Sequence, residues 1–185
     1  MIDKIVNEAE AKMGKSIEAM QQSLTSIRTG RANPALIDRV MVPYYGTPTP
    51  LNQLAQISAP EARMLIVQVY DRSQMGAVEK ALRAPELGLN PASDGQVLRV
   101  PIPPLTEERR KEYVKMVRGR AEDARIAIRN VRRDEIHRVD QQIKEGLLSD
   151  DDARSAKDRL QKVTDMHIGQ VDAVASRKEA EVMEV

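Results

Sequence analysis

The stretch LTEERRKEYVKMVRGRAEDARIAIRNVRRDEIHRVDQQI, residues 105–143, decides the fold. Its apolar residues recur at Val114, Val117, Ala121, Ala124, Ile128 and Val131, then at Ile136, Val139 and Ile143. Steps of three and four keep one stripe on one side of a helix. A single long helix is therefore expected, on the order of 55 to 60 Å from the 1.5 Å rise per residue. Thr106 is placed to cap its start, and Glu107 and Glu108 suit the positive end of the helix dipole. Pro101, Pro103 and Pro104 bar extension backward.

The same stretch carries a charge signal that the net charge of +1 conceals. Residues 105–133 hold ten Lys or Arg against five Asp or Glu, whereas residues 134–185 hold eight against thirteen. At 100° per residue Arg118, Arg125, Arg129 and Arg132 fall within roughly 60° of one another, beside the apolar stripe, with Arg133 and Lys111 extending that flank. A row of guanidinium groups on a rod can fork onto successive phosphates, so an RNA or DNA backbone is the natural partner. The alternative is a solvated arginine face paired with Glu122 and Asp123.

Outward from this helix the pattern repeats and then changes. Ile2, Val6, Ala9, Met13, Met20, Leu24 and Ile27 give a first long helix over residues 2–27, ended at Thr29-Gly30. Ser149-Asp150-Asp151-Asp152 has the form of a capping box and opens a third, with its stripe at Ala153, Ala156, Leu160, Val163, His167, Val171, Val174 and Val182. Between them, residues 31–104 hold all ten prolines and short β-like runs. Strands are expected at 39–45, 64–70 and 97–102, and a short helix at 73–84. The expected fold is α+β: an antiparallel-type three-helix bundle from residues 1–30 and 105–185, with a small α/β domain, β-α-β and sandwich-like, inserted at 31–104. The chain crosses between the two at Gly30-Arg31 and at Pro101, Pro103 and Pro104, which are the expected hinge.

Several classes of function are excluded. The chain has no Cys, Phe or Trp, so no disulfide forms, and the core must be aliphatic and Met-filled. The N-terminus lacks the apolar run of a signal peptide, and no stretch nears the roughly 20 apolar residues of a membrane span. A soluble cytoplasmic protein is expected. Gly14-Lys15-Ser16 echoes a P-loop ending, but Ala9 stands where the motif needs glycine and the context is helical. Asp150 to Asp152 is explained by the helix start, and His137 and His167 lack the partners of a metal site, so each is expected to be solvated or half-buried. No nucleophile elbow or dinucleotide fingerprint is present, so neither catalysis, metal nor cofactor is expected. The tyrosines of the insert do not form an RRM-like stacking sheet.

Six segments, RTGRANP at 28–34, YYGTPTPL at 44–51, DRS at 71–73, GLNP at 88–91, PPLTEERRK at 103–111 and RNVRRD at 129–134, resemble the bacterial ribosome recycling factor family in order and spacing. The resemblance spans the chain, with departures at Asn33, Pro43 and Tyr70. It implies an L-shaped protein that binds the post-termination ribosome and, with elongation factor G and GTP, splits it into subunits without being a GTPase. It also implies a monomer whose bundle lies on large-subunit ribosomal RNA and that takes no small-molecule substrate. By position in the last motif the central RNA contact is Arg132, flanked by Arg129 and Arg133. Arg125, Arg118, Arg110 and Arg28 complete the expected RNA-binding set. A helical adaptor or chaperone-like module is the alternative; salt-sensitive ribosome binding would separate the two.

Overall fold

The computed structural model describes residues 1–184. Three long helices dominate it: α1 (Ile2–Leu24), α4 (Glu107–Lys144) and α5 (Asp150–Met183). Each buries one stripe. Ile5, Ala9, Met13 and Met20 of α1 close on Val117, Ala121, Ile128 and Val139 of α4 and on Ala156, Leu160, Val171 and Val182 of α5. Cross-helix contacts fix the directions. Lys12 meets Glu135 and Ser23 meets Arg120, while Arg125 meets Asp172 and Asp140 meets Lys157. Rising numbers on one helix face falling numbers on the other, so α4 runs antiparallel to both α1 and α5.

Three local features depart from the sequence pattern, and one at the start of α5 follows it. The first helix stops at Leu24, short of residue 27, because hydroxyls take over its carbonyls: Ser23 Oγ bonds Met20 O, Thr25 Oγ1 bonds Gln22 O and Ser26 Oγ bonds Ser23 O, at 2.9, 2.6 and 2.8 Å. Ile27 is nevertheless buried. Glu135 interrupts the apolar stripe of α4, yet it is only 2% exposed. Its carboxylate lies 3.1 Å from Lys12 and 3.5 Å from Arg138, and Arg138 also binds Glu8, so the burial is compensated from α1 and from its own helix. His167 is buried rather than solvated or half-buried, at 7% exposure, with Nδ1 2.7 Å from the Val163 carbonyl. His137 is exposed. At the start of α5, Ser149 Oγ accepts from Asp152 N at 3.1 Å, which caps that helix.

The chain divides into two compact units, Met1–Thr29 with Glu107–Glu184, and Gly30–Thr106. The second contains β1 (Met41–Tyr44), β2 (Thr47–Pro50), the one-turn α2 (Leu51–Leu54), β3 (Ala55–Glu61), β4 (Met64–Val69), α3 (Met75–Leu82), β5 (Ala92–Ser93) and β6 (Leu98–Pro101). Strands β1 and β2 form a hairpin, and the other four make an antiparallel sheet in the order β3-β4-β6-β5. Leu65 and Val67 of β4, Leu98 and Val100 of β6, and Val78 and Leu82 of α3 form its core. The expected runs at 39–45, 64–70 and 97–102 shorten at their ends, and the run at 73–84 becomes a 3-10 turn followed by α3. Strands β2, β3 and β5 have no counterpart among the expected elements. Pro48, Pro50 and Pro60 sit inside β2 and β3, which the hairpin and the sheet edge tolerate because they leave N–H positions unpaired.

Four of the six family-like segments have visible structural work in this unit. In YYGTPTPL the two-residue turn Tyr45-Gly46 has φ of 49° and 81°, the positive pair that a tight hairpin demands. Asp71 of DRS accepts from Ser73 N and Oγ at 3.0 and 2.6 Å, and the Tyr45 hydroxyl reaches it at 3.4 Å. In GLNP the Asn90 side chain and Pro91 carbonyl accept from Arg83 at 3.3 and 2.8 Å. Asn33 of RTGRANP caps a 3-10 turn that begins at Pro34, accepting from Ala35 N at 3.0 Å.

Candidate nucleic-acid interface

Arg118, Arg125 and Arg132 of α4 meet side chains of α5, and what faces them there differs down the row. Arg118 Nε is 2.8 Å from Glu179 Oε1. Arg125 places Nε and Nη2 2.9 and 2.7 Å from Asp172 Oδ1, and Nη1 3.1 Å from Glu122. These bonds, the one to Asp172 foremost, raise the Arg125 pKa against a smaller opposing effect of burial. Arg129 lies 3.6 Å from Glu122. Among the described residues Arg132 has a neutral partner only, the Gln161 side-chain oxygen at 3.3 Å. Arg133 is exposed and has no carboxylate partner among the described residues.

This answers the alternative drawn from sequence in part. Glu122 does pair with the arginine face, whereas Asp123 joins no ion pair among the described residues. The carboxylates that matter most, Asp172 and Glu179, come from α5. They were not readable in advance, because spacing within one helix says nothing of the register of its neighbour. Arg118 and Arg125 are thus already engaged, whereas Arg132 and Arg133 face no carboxylate among the described residues.

Arg28 and Arg110 stand apart from this group. Arg28 belongs to the segment after α1, and Arg110 to the first turn of α4. Both are half-buried, and the Nε atom of each is buried without a hydrogen-bond partner. Of the expected hinge residues, Gly30 has φ of 78°, which glycine alone adopts without strain. Pro101 is the last residue of β6, opposite Met64, and Ile102 N donates to Arg63 O at 2.8 Å. Pro103 and Pro104 follow outside any strand or helix.

Among the described residues no group of three or more His, Asp or Glu is placed to hold a metal, and no helix is long and apolar enough to cross a membrane. The bundle unit thus carries a row of guanidinium groups on α4, a chemistry suited to forked bonds with phosphate. Residues 20–183 match the family model described as ribosome recycling factor. The chain belongs to the ribosome recycling factor family, whose members are translation factors rather than enzymes. It is 52% identical over 185 residues to the ribosome-recycling factor of Thermomicrobium roseum and 53% identical over 185 residues to that of Heliobacterium modesticaldum, each match covering 100% of both chains. A solution structure of the ribosome recycling factor matches 100% of this chain and 98% of its own, at 40% identity with a TM-score of 0.71. The T. thermophilus factor, placed with E. coli elongation factor G on the E. coli post-termination complex, matches over 100% of both chains at 44% identity and a TM-score of 0.63.

Proposed function

We propose that this chain binds the post-termination ribosome in the cytoplasm and, together with elongation factor G and GTP, splits it into subunits. The observation that carries this is the agreement over the whole chain, in sequence and fold, with a factor placed beside elongation factor G on that complex. The bundle is the ribosome-binding part. Arg132 is its central contact with large-subunit RNA, Arg129 and Arg133 flank it, and Arg118, Arg125, Arg110 and Arg28 are secondary. Arg132 and Arg133 lack a carboxylate partner among the described residues, which supports their rank. Splitting requires the 31–104 domain to turn about Gly30, Arg31, Pro101, Pro103 and Pro104, with Gly30 supplying the positive φ.

The test is polysome breakdown with purified elongation factor G and GTP. Conversion of polysomes to subunits only when the chain, the factor and GTP are all present is the expected result. Ribosome binding without splitting, or protein capture that salt does not weaken, would overturn the reading and favour an adaptor.

A further inference from the structure

We propose that the apolar groove between the N-terminal third of α4 and the last turns of α5 seats one unstacked nucleobase of the RNA that lies along the arginine row. This rests on the RNA-binding reading above. The groove has a volume of about 660 Å³, and Val114, Ala180 and Met183 supply its apolar lining. Lys111, Lys115 and Arg118, at i, i+4 and i+7, line its α4 bank. Among the described residues Glu179 is the carboxylate of the lining, and it is tied to Arg118 at 2.8 Å. Lys111 lies 3.5 Å from Glu107, in an exposed pair that water screens, and Lys115 has no carboxylate partner among the described residues, so the bank keeps one uncompensated positive charge beside an apolar floor.

The charge and the lining together choose the occupant. A second hollow shares Arg118, Ser176 and Glu179 with this groove and continues to Arg125 and Asp172, so a polyanion on the arginine row reaches it without a break. Three apolar side chains are too few for an amphipathic helix, which anchors through repeated i, i+3, i+4 and i+7 contacts. One flat ring suits them. Met183 is 50% exposed, and its thioether can settle on an aromatic ring while the lysines hold the flanking phosphates. RNA-binding proteins commonly read bases splayed out of the stack in this way.

Ala180 is exposed, so it can be replaced without disturbing the core. Full-length Ala180→p-azidophenylalanine, irradiated on isolated large subunits, should label ribosomal RNA at one nucleotide or its immediate neighbours. Ala180→Glu should weaken large-subunit binding about tenfold, the size of a lost stacking contact, with unchanged circular dichroism. Labelling of ribosomal protein instead, or no label at full occupancy, would overturn the base seat. Arg132→Ala run in parallel separates the two readings. If it weakens binding while Ala180→Glu does not, only the seat fails; if neither does, the RNA reading fails with it.

Discussion

Arg125 and Arg132 stand about two turns apart on one face of α4, and the residue across the seam makes them different tools. Asp172 holds the Arg125 guanidinium in a two-nitrogen grip, and the Arg125 side chain is 25% exposed. Gln161 offers Arg132 a neutral oxygen, which orients the group without cancelling its charge. The same residue type at the same helical angle therefore serves as a clamp between α4 and α5 in one place and as a free cation in the other. Spacing chooses the face, and the neighbouring helix chooses the role.

The comparison is broken most forcefully at Arg132. Arg132→Ala should cost about 1.5 to 3 kcal/mol of large-subunit affinity, about tenfold to a hundredfold, with the melting temperature unchanged. The slope of log affinity against log salt should flatten by about one unit. Arg132→Lys should recover only part of the affinity, since an ammonium lacks the planar fork. Equal affinity of the alanine variant and the parent, measured by sedimentation with large subunits, would remove this residue from the interface.

Arg125→Ala should show the opposite balance. Loss of the α4–α5 clamp should lower stability by about 1 kcal/mol, read as a fall of roughly 3 °C in melting temperature. Ribosome affinity should move less than for Arg132→Ala. Asp172→Asn sharpens the contrast further, since it frees the Arg125 charge while leaving the side chain in place. A gain of about twofold in affinity, with a slightly steeper salt slope, is expected.

The smallest effect concerns the far end of the same seam. Lys157, 2.6 Å from Asp140, holds that carboxyl below its ordinary value through a hydrogen bond, more than burial opposes it. A depressed carboxyl pKa favours the folded state at pH values above the unfolded pKa, near 4, and the gain is lost as pH falls through the lower folded value. Asp140→Asn should thus melt slightly below the parent at pH 7 and together with it at the acid end. A gap that persists at low pH would mean that packing, not charge, sets the difference.

The helices were the legible part. Val117, Ala121, Ala124, Ile128 and Val139 form the buried stripe on α4 that their spacing indicates, and Ser149 caps α5 as its motif suggests. Such signals are local, and a helix closes its hydrogen bonds within itself. Strands β2 and β3 escaped notice because Pro48, Pro50 and Pro60 read as breakers, and only the pairing with β1 and β4 makes those runs extended. Glu135 escaped for a related reason. A carboxylate in an apolar stripe looks like a surface position until Lys12 arrives from a helix 123 residues away in sequence. In the candidate interface the arginines themselves were readable. Their ranking was not, since Asp172, Glu179 and Gln161 come from the register of a second helix.

The insertion at Gly30 also bears on how the chain comes together in time. Residues 30–106 form one continuous unit, whereas the bundle draws α1 from before it and α4 and α5 from after it. The ends of the insert meet, for a side chain added at Gly30 would stand 3.6 Å from Leu105 Cγ. Left to itself, α1 must close a loop of about 80 residues before it can touch α4, at an entropic cost that grows with the logarithm of that length. Once the insert has closed, that search is over. The order expected during synthesis is therefore closure of the insert, return of the start of α4 to α1, and completion of the bundle when α5 has emerged.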